Sequence, residues 1–370
     1  MADARALAAV YNCYTKIIRI WVKHGMSKSK RIFIISDFKD ESPKSIRVER
    51  RRWVKGFIRL GHDVQRFSYR NVMMQSSPMP GWKIADPIAR KKANAILIDQ
   101  LRKYHPDIVF VYCIKHLTPG IISALREAAP SAVFIGREGD PYPEKKPERL
   151  AVVRQMDIMV PPQGGRYLKT YKDTGVPLCA FVPFPCDPDI QHPYDVGDQW
   201  RSDIIFIGLA EHGKLPRENE RYKIVYRLSK LPNARVYGCF GNPTIDGIET
   251  FYAISGAKIA LSINIANDVR LYHSDRLVNC LACGTFTLAR RVPDTDLLFK
   301  DGTHLRYFDT VDEFFELAAW YLTHDSEREK IAIAGMEKAH ADFNCAKIAQ
   351  YVLDLVETGT YDAPWAEILR

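Results

Sequence analysis

Residues 254–292 read ISGAKIALSINIANDVRLYHSDRLVNCLACGTFTLARRV. The run KIALSIN at 258–264 is short and largely apolar, as in a strand that is buried inside a parallel sheet. A polar loop follows, and Ser274 is a suitable N-cap for a helix that Gly284 would end. The next run, TFTLARR, predicts a second strand. This spacing therefore predicts a strand–helix–strand unit of a parallel sheet.

The same alternation of strands and helices extends over most of the chain. RIFIIS at 31–36 begins one series and DIIFIG at 203–208 begins another. Four prolines at 183–195, without any periodicity, predict a linker between the two series. Further predicted strands lie at 63–69, 107–113, 132–140, 157–161, 178–184, 234–239, 285–291 and 305–309. We therefore predict an α/β protein with two Rossmann-like βαβ domains in tandem.

The predicted domain organisation has four parts. An N-terminal basic amphipathic helix occupies 1–30, a first Rossmann-like domain 31–190, and a second Rossmann-like domain 191–345. The C-terminal helices at 346–370 could cross back to the first domain. A chain of 370 residues suits two domains of about 150 residues better than one core.

Composition limits the class of protein and its location. Hydrophobic residues make up 46% and charged residues 26%, which excludes a mostly disordered chain. No run approaches the roughly 20 apolar residues of a membrane span, and the first residues do not resemble a secretory signal. The eight cysteines are scattered and read as reduced thiols. We therefore expect a cytoplasmic protein.

The positive charge is concentrated at the front of the chain. Residues 1–60 contain 15 Lys and Arg against 5 Asp and Glu, although the whole chain carries a formal charge of +9. The helix predicted at 3–24 either docks on the protein or lies on an anionic membrane. The basic run on the helix predicted at 45–62 is either solvated or contacts an acidic surface. A peripheral membrane contact through residues 1–60 is therefore one expected partnership.

Two segments are candidates for binding an anion. Parallel sheets bind ligands at the carboxyl ends of their strands. Gly208, Lys214 and Arg221 follow one predicted strand and could cradle a phosphate, or form an ordinary solvated loop. Neither a Walker loop nor a GxGxxG turn is present. Asn264 ends the strand predicted at 258–264, and Arg276 lies in the first turn of the helix that follows, where it binds an anion or pairs with a carboxylate.

The motif S-D-R-x-x-N-x-L-A-C-G-T-F-x-L, which starts at Ser274, resembles the C-terminal nucleotide-sugar domain of GT-B glycosyltransferases. It is most similar to the spore-maturation-protein-like group, with a glycosyltransferase family 1-like domain over about 200–355. The group's ligand-side glycine matches Gly208, and the arginine that opens the next helix matches Arg221. The resemblance implies two Rossmann-like domains facing across a cleft. The residues expected to bind the nucleotide sugar are Gly208, Lys214, Arg221, Asn264, Ser274, Arg276, Asn279 and Gly284.

The resemblance implies a metal-independent hexosyltransferase-type glycosyltransferase with a nucleoside-diphosphate sugar as donor and no tightly bound cofactor. Its acceptor would be a glycan, lipid-linked or other hydroxyl, as in cell-surface polysaccharide synthesis. The family carries Glu where this chain has Asn279, and that carboxylate holds the ribose hydroxyls. An amide can accept one hydrogen bond and donate another, without charge assistance. A nucleotide-sugar epimerase and a non-catalytic sugar-nucleotide-binding relative therefore remain alternatives.

Four residues of the first domain are candidates for a catalytic base that removes the acceptor proton, and one of them is Asp37 at the end of the first predicted strand. Glu138 and Asp140 follow a predicted strand, although Asp140 could instead cap a turn before a proline. His116 follows the preceding strand, where a core histidine is the alternative. The Cys280–Cys283 pair lacks a second pair of ligands, so we expect no metal site. No aromatic-interleaved basic motif points to nucleic acid.

Overall fold

A computed structural model describes residues 28–38, 48–78, 86–112, 114–139, 147–210 and 217–370. The helix predicted at 3–24 lies outside these ranges, as do two candidate site residues, Asp140 and Lys214. Residues 31–370 form one compact unit.

Seven described strands form the first sheet. They are β1 (Arg31–Ser36), β2 (Asp63–Ser68), β3 (Ile108–Val111), β4 (Val133–Gly136), β5 (Ile158–Met159), β6 (Leu178–Ala180) and β12 (Ile368–Leu369). Their order across the sheet is β12-β6-β5-β4-β3-β1-β2, and every pair is parallel except β12 with β6. The strand predicted at 132–140 ends earlier, at Gly136.

Helices cover both faces of this sheet. They are α1 (Val48–Arg59), α2 (Tyr69–Gln75), α3 (Asp86–Tyr104), α4 (Pro119–Ala128), α5 (Pro147–Val153) and α6 (Arg166–Asp173). Successive side chains of a strand point to opposite faces. Ile34 of β1 accordingly belongs to the same buried cluster as Trp53 of α1, whereas Phe33 joins the cluster of Leu97 on α3.

The second sheet has five described strands, all parallel. They are β7 (Ser202–Ile207), β8 (Ala234–Tyr237), β9 (Ala257–Ser262), β10 (Phe286–Arg290) and β11 (Arg306–Phe308), in the order β11-β10-β9-β7-β8. Its helices are α7 (Glu220–Leu228), α8 (Ile248–Ser255), α9 (Asp275–Ala282), α10 (Val311–Thr323), α11 (Asp325–Asp342) and α12 (Cys345–Thr358). The α/β class predicted from the sequence is confirmed.

The end of the chain returns to the first sheet. Helix α12 packs against α1, where a side chain on Gly56 would collide with the carbonyl of Cys345. Strand β12 then pairs with β6. One buried cluster contains Phe110 of β3, Leu277 of α9 and Phe343 after α11, so the core is continuous between the two sheets.

Four cations of the basic run on α1 are held by groups within the chain. Lys55 and Arg59 form ion pairs with Asp187 and Asp189 in the segment that joins the sheets. Arg50 donates to the carbonyl oxygen of Asp37, and Arg52 donates to that of Pro185. These side chains are therefore occupied internally. No helix of the described ranges is long and apolar enough to cross a membrane.

Candidate functional site

Two adjoining cavities lie at the carboxyl ends of the strands. The Tyr112 cavity, of about 370 Å³, is lined by residues that follow β3 and β4 on one side and β9 on the other. The Gly208 cavity, of about 340 Å³, is lined by residues that follow β7 and by the loop before α8. Three side chains line both cavities, and they are Glu49, Asp275 and Arg276. The cavities therefore meet at these side chains.

Gly208 brings the backbone after β7 close to two arginines. Its φ of +147° is unfavourable for residues with a side chain. A Cβ at this position would lie 2.5 Å from Nη2 of Arg276 and 3.2 Å from Nη2 of Arg221. Only glycine therefore leaves room for both guanidinium groups here. The structure therefore brings together Gly208 and Arg276, which were both predicted from the sequence to bind the nucleotide sugar, and that role stays a prediction.

Arg276 is held in place by backbone carbonyls. Its Nε donates to the carbonyl of Ile207 at 2.7 Å, and its Nη1 donates to the carbonyl of Ile263 at 3.0 Å. The guanidinium carbon lies 4.8 Å from the centre of the Phe206 ring. Loss of solvent lowers the pKa of Arg276, and the carboxylate of Asp275 partly offsets that effect. The cation is fixed in position without an ion pair to any described carboxylate.

Arg221 is more deeply buried and less well compensated. It is 4% exposed, and its guanidinium carbon lies 5.4 Å from the centre of the same Phe206 ring. Burial and, to a smaller extent, the positive charge of Arg276 together lower the pKa of Arg221 to about 9. Its Nε has no hydrogen-bond partner among the described residues. Two adjacent cations with so little compensation favour an anionic ligand.

The lining of the Tyr112 cavity has the same charge bias, with five arginines and three carboxylates. The amino end of α9 adds a partial positive charge, because its first N–H groups have no partner within the helix. Ser274 is the N-cap of this helix and its hydroxyl accepts from Nη1 of Arg276 at 3.3 Å. The arrangement can therefore stabilise a bound phosphate or diphosphate.

Asn264 holds the loop before α9 through hydrogen bonds to its backbone. It is 4% exposed, its Oδ1 accepts from the backbone N–H of Ser274 at 2.9 Å, and its Nδ2 donates to the carbonyl of Tyr272 at 3.1 Å. Both ends of the amide are thus used to hold the loop before α9. Asn264 lines the Tyr112 cavity, but its polar atoms serve the scaffold.

Asn279 lines the Gly208 cavity with its oxygen already engaged. Its Oδ1 accepts from Nη2 of Arg52 at 2.7 Å and from Nε2 of Gln191 at 2.8 Å. Arg52 is 2% exposed and comes from α1 on the first sheet. The side-chain oxygen of Asn279, which was predicted to accept a hydrogen bond from a ribose hydroxyl, therefore already accepts two hydrogen bonds within the protein. The NH₂ group is the part of this amide that remains for a ligand.

Two predicted residues lie away from these cavities. Gly284 follows the carboxyl end of α9, where a Cβ would be 2.8 Å from Cγ of Pro193. It has φ of +72°, so it ends the helix and allows close packing. His116 stacks on the ring of Tyr69, with 5.9 Å between the ring centres. Neither residue lines the Tyr112 or the Gly208 cavity.

Glu138 does line the Tyr112 cavity, and it is paired. Its Oε2 accepts from Nη1 of Arg149 at 3.0 Å. The neighbouring Arg137 is fully buried and donates to the carbonyls of Val160 and Val182 at 2.7 and 2.9 Å. Burial lowers the pKa of Arg137 to about 10.

Arg137 and Glu49 were not predicted as site residues from the sequence, and neither was the hydrogen bond between Arg52 and Asn279. For Arg137 a signal existed, since an arginine directly after an apolar strand in GREGD is unusual. In the described part of the chain, no group of three His, Cys, Asp or Glu residues is placed to hold a metal ion.

Residues 221–354 match a sequence family described as glycosyl transferase-like. No curated protein matches the chain significantly in sequence. Solved structures resemble it over nearly their whole length. HepE from Anabaena, crystallised with UDP and glucose, gives a TM-score of 0.58 at 10% identity, covering 89% of this chain and 100% of that chain.

Two further solved structures agree with this likeness. Sucrose-phosphate synthase from Thermosynechococcus elongatus gives a TM-score of 0.60 at 12% identity, covering 89% of this chain and 98% of that chain. A glycosyltransferase from Rickettsia africae ESF-5 gives 0.55 at 11% identity, covering 90% and 98%. The chain has the GT-B fold, and the predicted resemblance to GT-B glycosyltransferases is confirmed. The narrower likeness to spore-maturation proteins stays a prediction.

Proposed function

We propose that this GT-B protein is a glycosyltransferase that moves a sugar from a nucleoside-diphosphate sugar to a hydroxyl acceptor. The observation that carries the proposal is the pair of cations Arg221 and Arg276 beside Gly208. When the bond between sugar and diphosphate breaks, negative charge grows on the leaving diphosphate. Cations that are already fixed at this place stabilise the transition state. Such electrostatic stabilisation usually supplies a large part of the rate enhancement.

The donor would lie across both cavities. Its diphosphate would contact Arg276 where the cavities meet, and the nucleoside would enter the Gly208 cavity beside Asn279. Two guanidinium groups and the start of α9 supply positive charge, so we propose a metal-independent transfer without a tightly bound cofactor. HepE has been crystallised with UDP-glucose as well as with UDP, which makes uridine diphosphate sugars the first donors to test.

The acceptor would enter the Tyr112 cavity from the first sheet. We propose residues 31–190 as the acceptor domain and residues 191–345 as the donor domain, with 346–370 completing the first. We propose that the donor carries a hexose and that the acceptor is a glycan or a lipid-linked precursor of a cell-surface polysaccharide. Such an enzyme would act in the cytoplasm, at the inner face of a membrane. The basic residues of 1–60 support that location, although those of α1 are held internally.

Isothermal titration calorimetry with UDP and UDP-glucose tests the proposal. Wild-type protein should bind both, and Arg276→Ala and Arg221→Ala should each weaken UDP binding at least tenfold, because hydrogen bonds to charged groups contribute about 1.5–3 kcal/mol. Arg227→Ala is the matched control, since Arg227 lies on the same helix as Arg221 but pairs with the exposed Asp312. Unchanged UDP binding in both cavity variants would remove the assignment.

Product analysis separates the alternatives. A glycosyltransferase releases UDP in the presence of an acceptor and, more slowly, with water as acceptor. An epimerase would convert UDP-glucose or UDP-N-acetylglucosamine to the epimeric sugar nucleotide without UDP release. A non-catalytic relative would bind the donor and leave it intact with every acceptor.

A further inference from the structure

We propose that Glu49 is the general base that takes the proton from the acceptor hydroxyl. The inference rests on the proposed function and names a catalytic residue for it. The residues predicted for this role from the sequence are Asp37, Glu138, Asp140 and His116. The geometry of the two cavities points instead to the second described residue of α1.

The place where the cavities meet is the place where transfer must occur. The diphosphate lies at Arg276, which lines both cavities, and the acceptor approaches through the Tyr112 cavity. C1 of the sugar, where one bond breaks and another forms, therefore lies near the wall that the two cavities share. Besides Arg276, that wall contains two side chains able to accept a proton, Glu49 and Asp275.

Position on the fold separates these two carboxylates. Asp275 opens α9 and is adjacent to Arg276, on the side of the site that holds the diphosphate. Glu49 lies in the first turn of α1 on the first sheet, from which the acceptor enters. In the inverting transfer that we propose, the incoming oxygen attacks C1 from the face opposite the leaving group, so the base that takes its proton lies on the acceptor's side of the sugar. Glu49 satisfies this condition.

The other candidate bases are less well placed at the junction of the two cavities. Glu138 lines the Tyr112 cavity without reaching the shared wall, and Asp37 lines neither cavity. His116 lines neither cavity. Among the described carboxylates on the first-sheet side, Glu49 is thus the one placed at the junction.

Helix α1 is rigidly supported, which a catalytic group requires. Trp53 is 1% exposed in the core, and Arg52 is anchored to the carbonyl of Pro185 at 2.8 Å. One cation lies close to Glu49, since Nε of Arg50 is 3.5 Å from its Oε1. Arg276 lines the same two cavities as Glu49.

The step balances without a co-reactant. The acceptor oxygen forms a bond to C1 of the sugar while its proton moves to the Glu49 carboxylate. The bond between C1 and the diphosphate oxygen breaks, and its electron pair leaves on the diphosphate, next to Arg221 and Arg276. The proton then passes from Glu49 to solvent. A single displacement of this kind inverts the configuration at C1.

The test uses UDP-glucose with water as acceptor, so that no acceptor needs to be known. Glu49→Gln keeps the shape of the side chain and removes the base. Glu49→Asp keeps a carboxylate, and Glu127→Gln, on the exposed surface of α4, is the matched control. Calorimetry gives the Kd for UDP, a coupled assay gives kcat and KM for UDP release, and NMR identifies the glucose anomer that appears first.

We expect Glu49→Gln to lower kcat by about 100-fold or more, the usual contribution of a general base. Its Kd for UDP should stay within threefold of wild type, Glu49→Asp should recover part of kcat, and Glu127→Gln should leave both unchanged. The α-linked donor should first give β-glucose. These results support the base even if the natural acceptor is unknown.

Three results would overturn the inference. They are a Glu49→Gln variant that retains more than a tenth of kcat, α-glucose as the first product, and binding of UDP-glucose by wild type without any hydrolysis. Failure of wild type to bind UDP or UDP-glucose is a separate outcome, since it removes the proposed function itself.

Discussion

The guanidinium group of Arg276 occupies the space that a side chain at position 208 would need. A Cβ built on Gly208 falls 2.5 Å from its Nη2, well inside van der Waals contact. The two residues are 68 positions apart in the chain, on the ends of β7 and α9. The glycine is therefore part of the cation site, because it sets how closely the backbone and the guanidinium group approach.

Replacement of this glycine should damage ligand binding more than folding. In Gly208→Ala the methyl group must displace Arg276 or the backbone, and φ of +147° adds strain of about 1–3 kcal/mol. We expect UDP affinity to fall more than tenfold, measured by calorimetry. Gly302→Ala provides a control, because Gly302 also has positive φ but has nothing within 4 Å of a Cβ. Equal losses of affinity in both variants would contradict the steric explanation.

The cation site could be predicted because its residues carry local signals. Gly208 follows a strand pattern, and Arg276 follows an N-cap serine in a motif whose resemblance is specific. Strand and helix order was recoverable for the same reason, since each element has its own periodicity. Short helices such as Tyr69–Gln75 and Pro147–Val153 were missed, because seven residues hold barely two turns of any pattern.

Contacts between distant segments could not be predicted. Arg52 and Asn279 are 227 residues apart, and nothing near either residue indicates the other. The pairing of Ile368–Leu369 with β6 likewise joins two- and three-residue strands, which are too short to show alternation. The role proposed for Glu49 depends on the same long-range packing, because only the assembled cavities distinguish it from other surface glutamates.

The hydrogen bond between Arg52 and Asn279 should contribute measurably to stability. Arg52 is 2% exposed, so loss of its acceptor leaves a buried charge poorly compensated. We expect Asn279→Leu and Arg52→Met each to lower the free energy of unfolding by about 1–3 kcal/mol in urea titrations. A double-mutant cycle should give a coupling energy of about 1 kcal/mol or more. Additive effects would show that the two side chains do not depend on each other.

Lys55 should act on stability and not on membrane binding. Its Nζ lies 2.6 Å from the carboxylate of Asp187, which is almost fully buried. We expect Lys55→Met to lower the free energy of unfolding by about 1–2 kcal/mol, with unchanged binding to anionic vesicles in sedimentation. Lys103→Met is the control, since its pair with Asp99 is exposed and should be worth about 0.5 kcal/mol or less. A vesicle-binding defect specific to Lys55→Met would instead support a surface role for this helix.

His273 should make the protein less stable in mild acid. The side chain is 2% exposed, its Nδ1 lies 3.2 Å from the carbonyl of Ser274, and burial lowers its pKa to about 4, below the usual 6.5. The unfolded chain therefore binds a proton that the folded chain resists. The contribution of His273 to the free energy of unfolding is fully present above pH 6.5. It is lost as pH drops from 6.5 toward 4, by up to about 1.4 kcal/mol per pH unit. Urea titrations across this range should show a shallower decline in His273→Asn. Equal slopes for the two proteins would mean that the histidine takes up its proton without unfolding the chain.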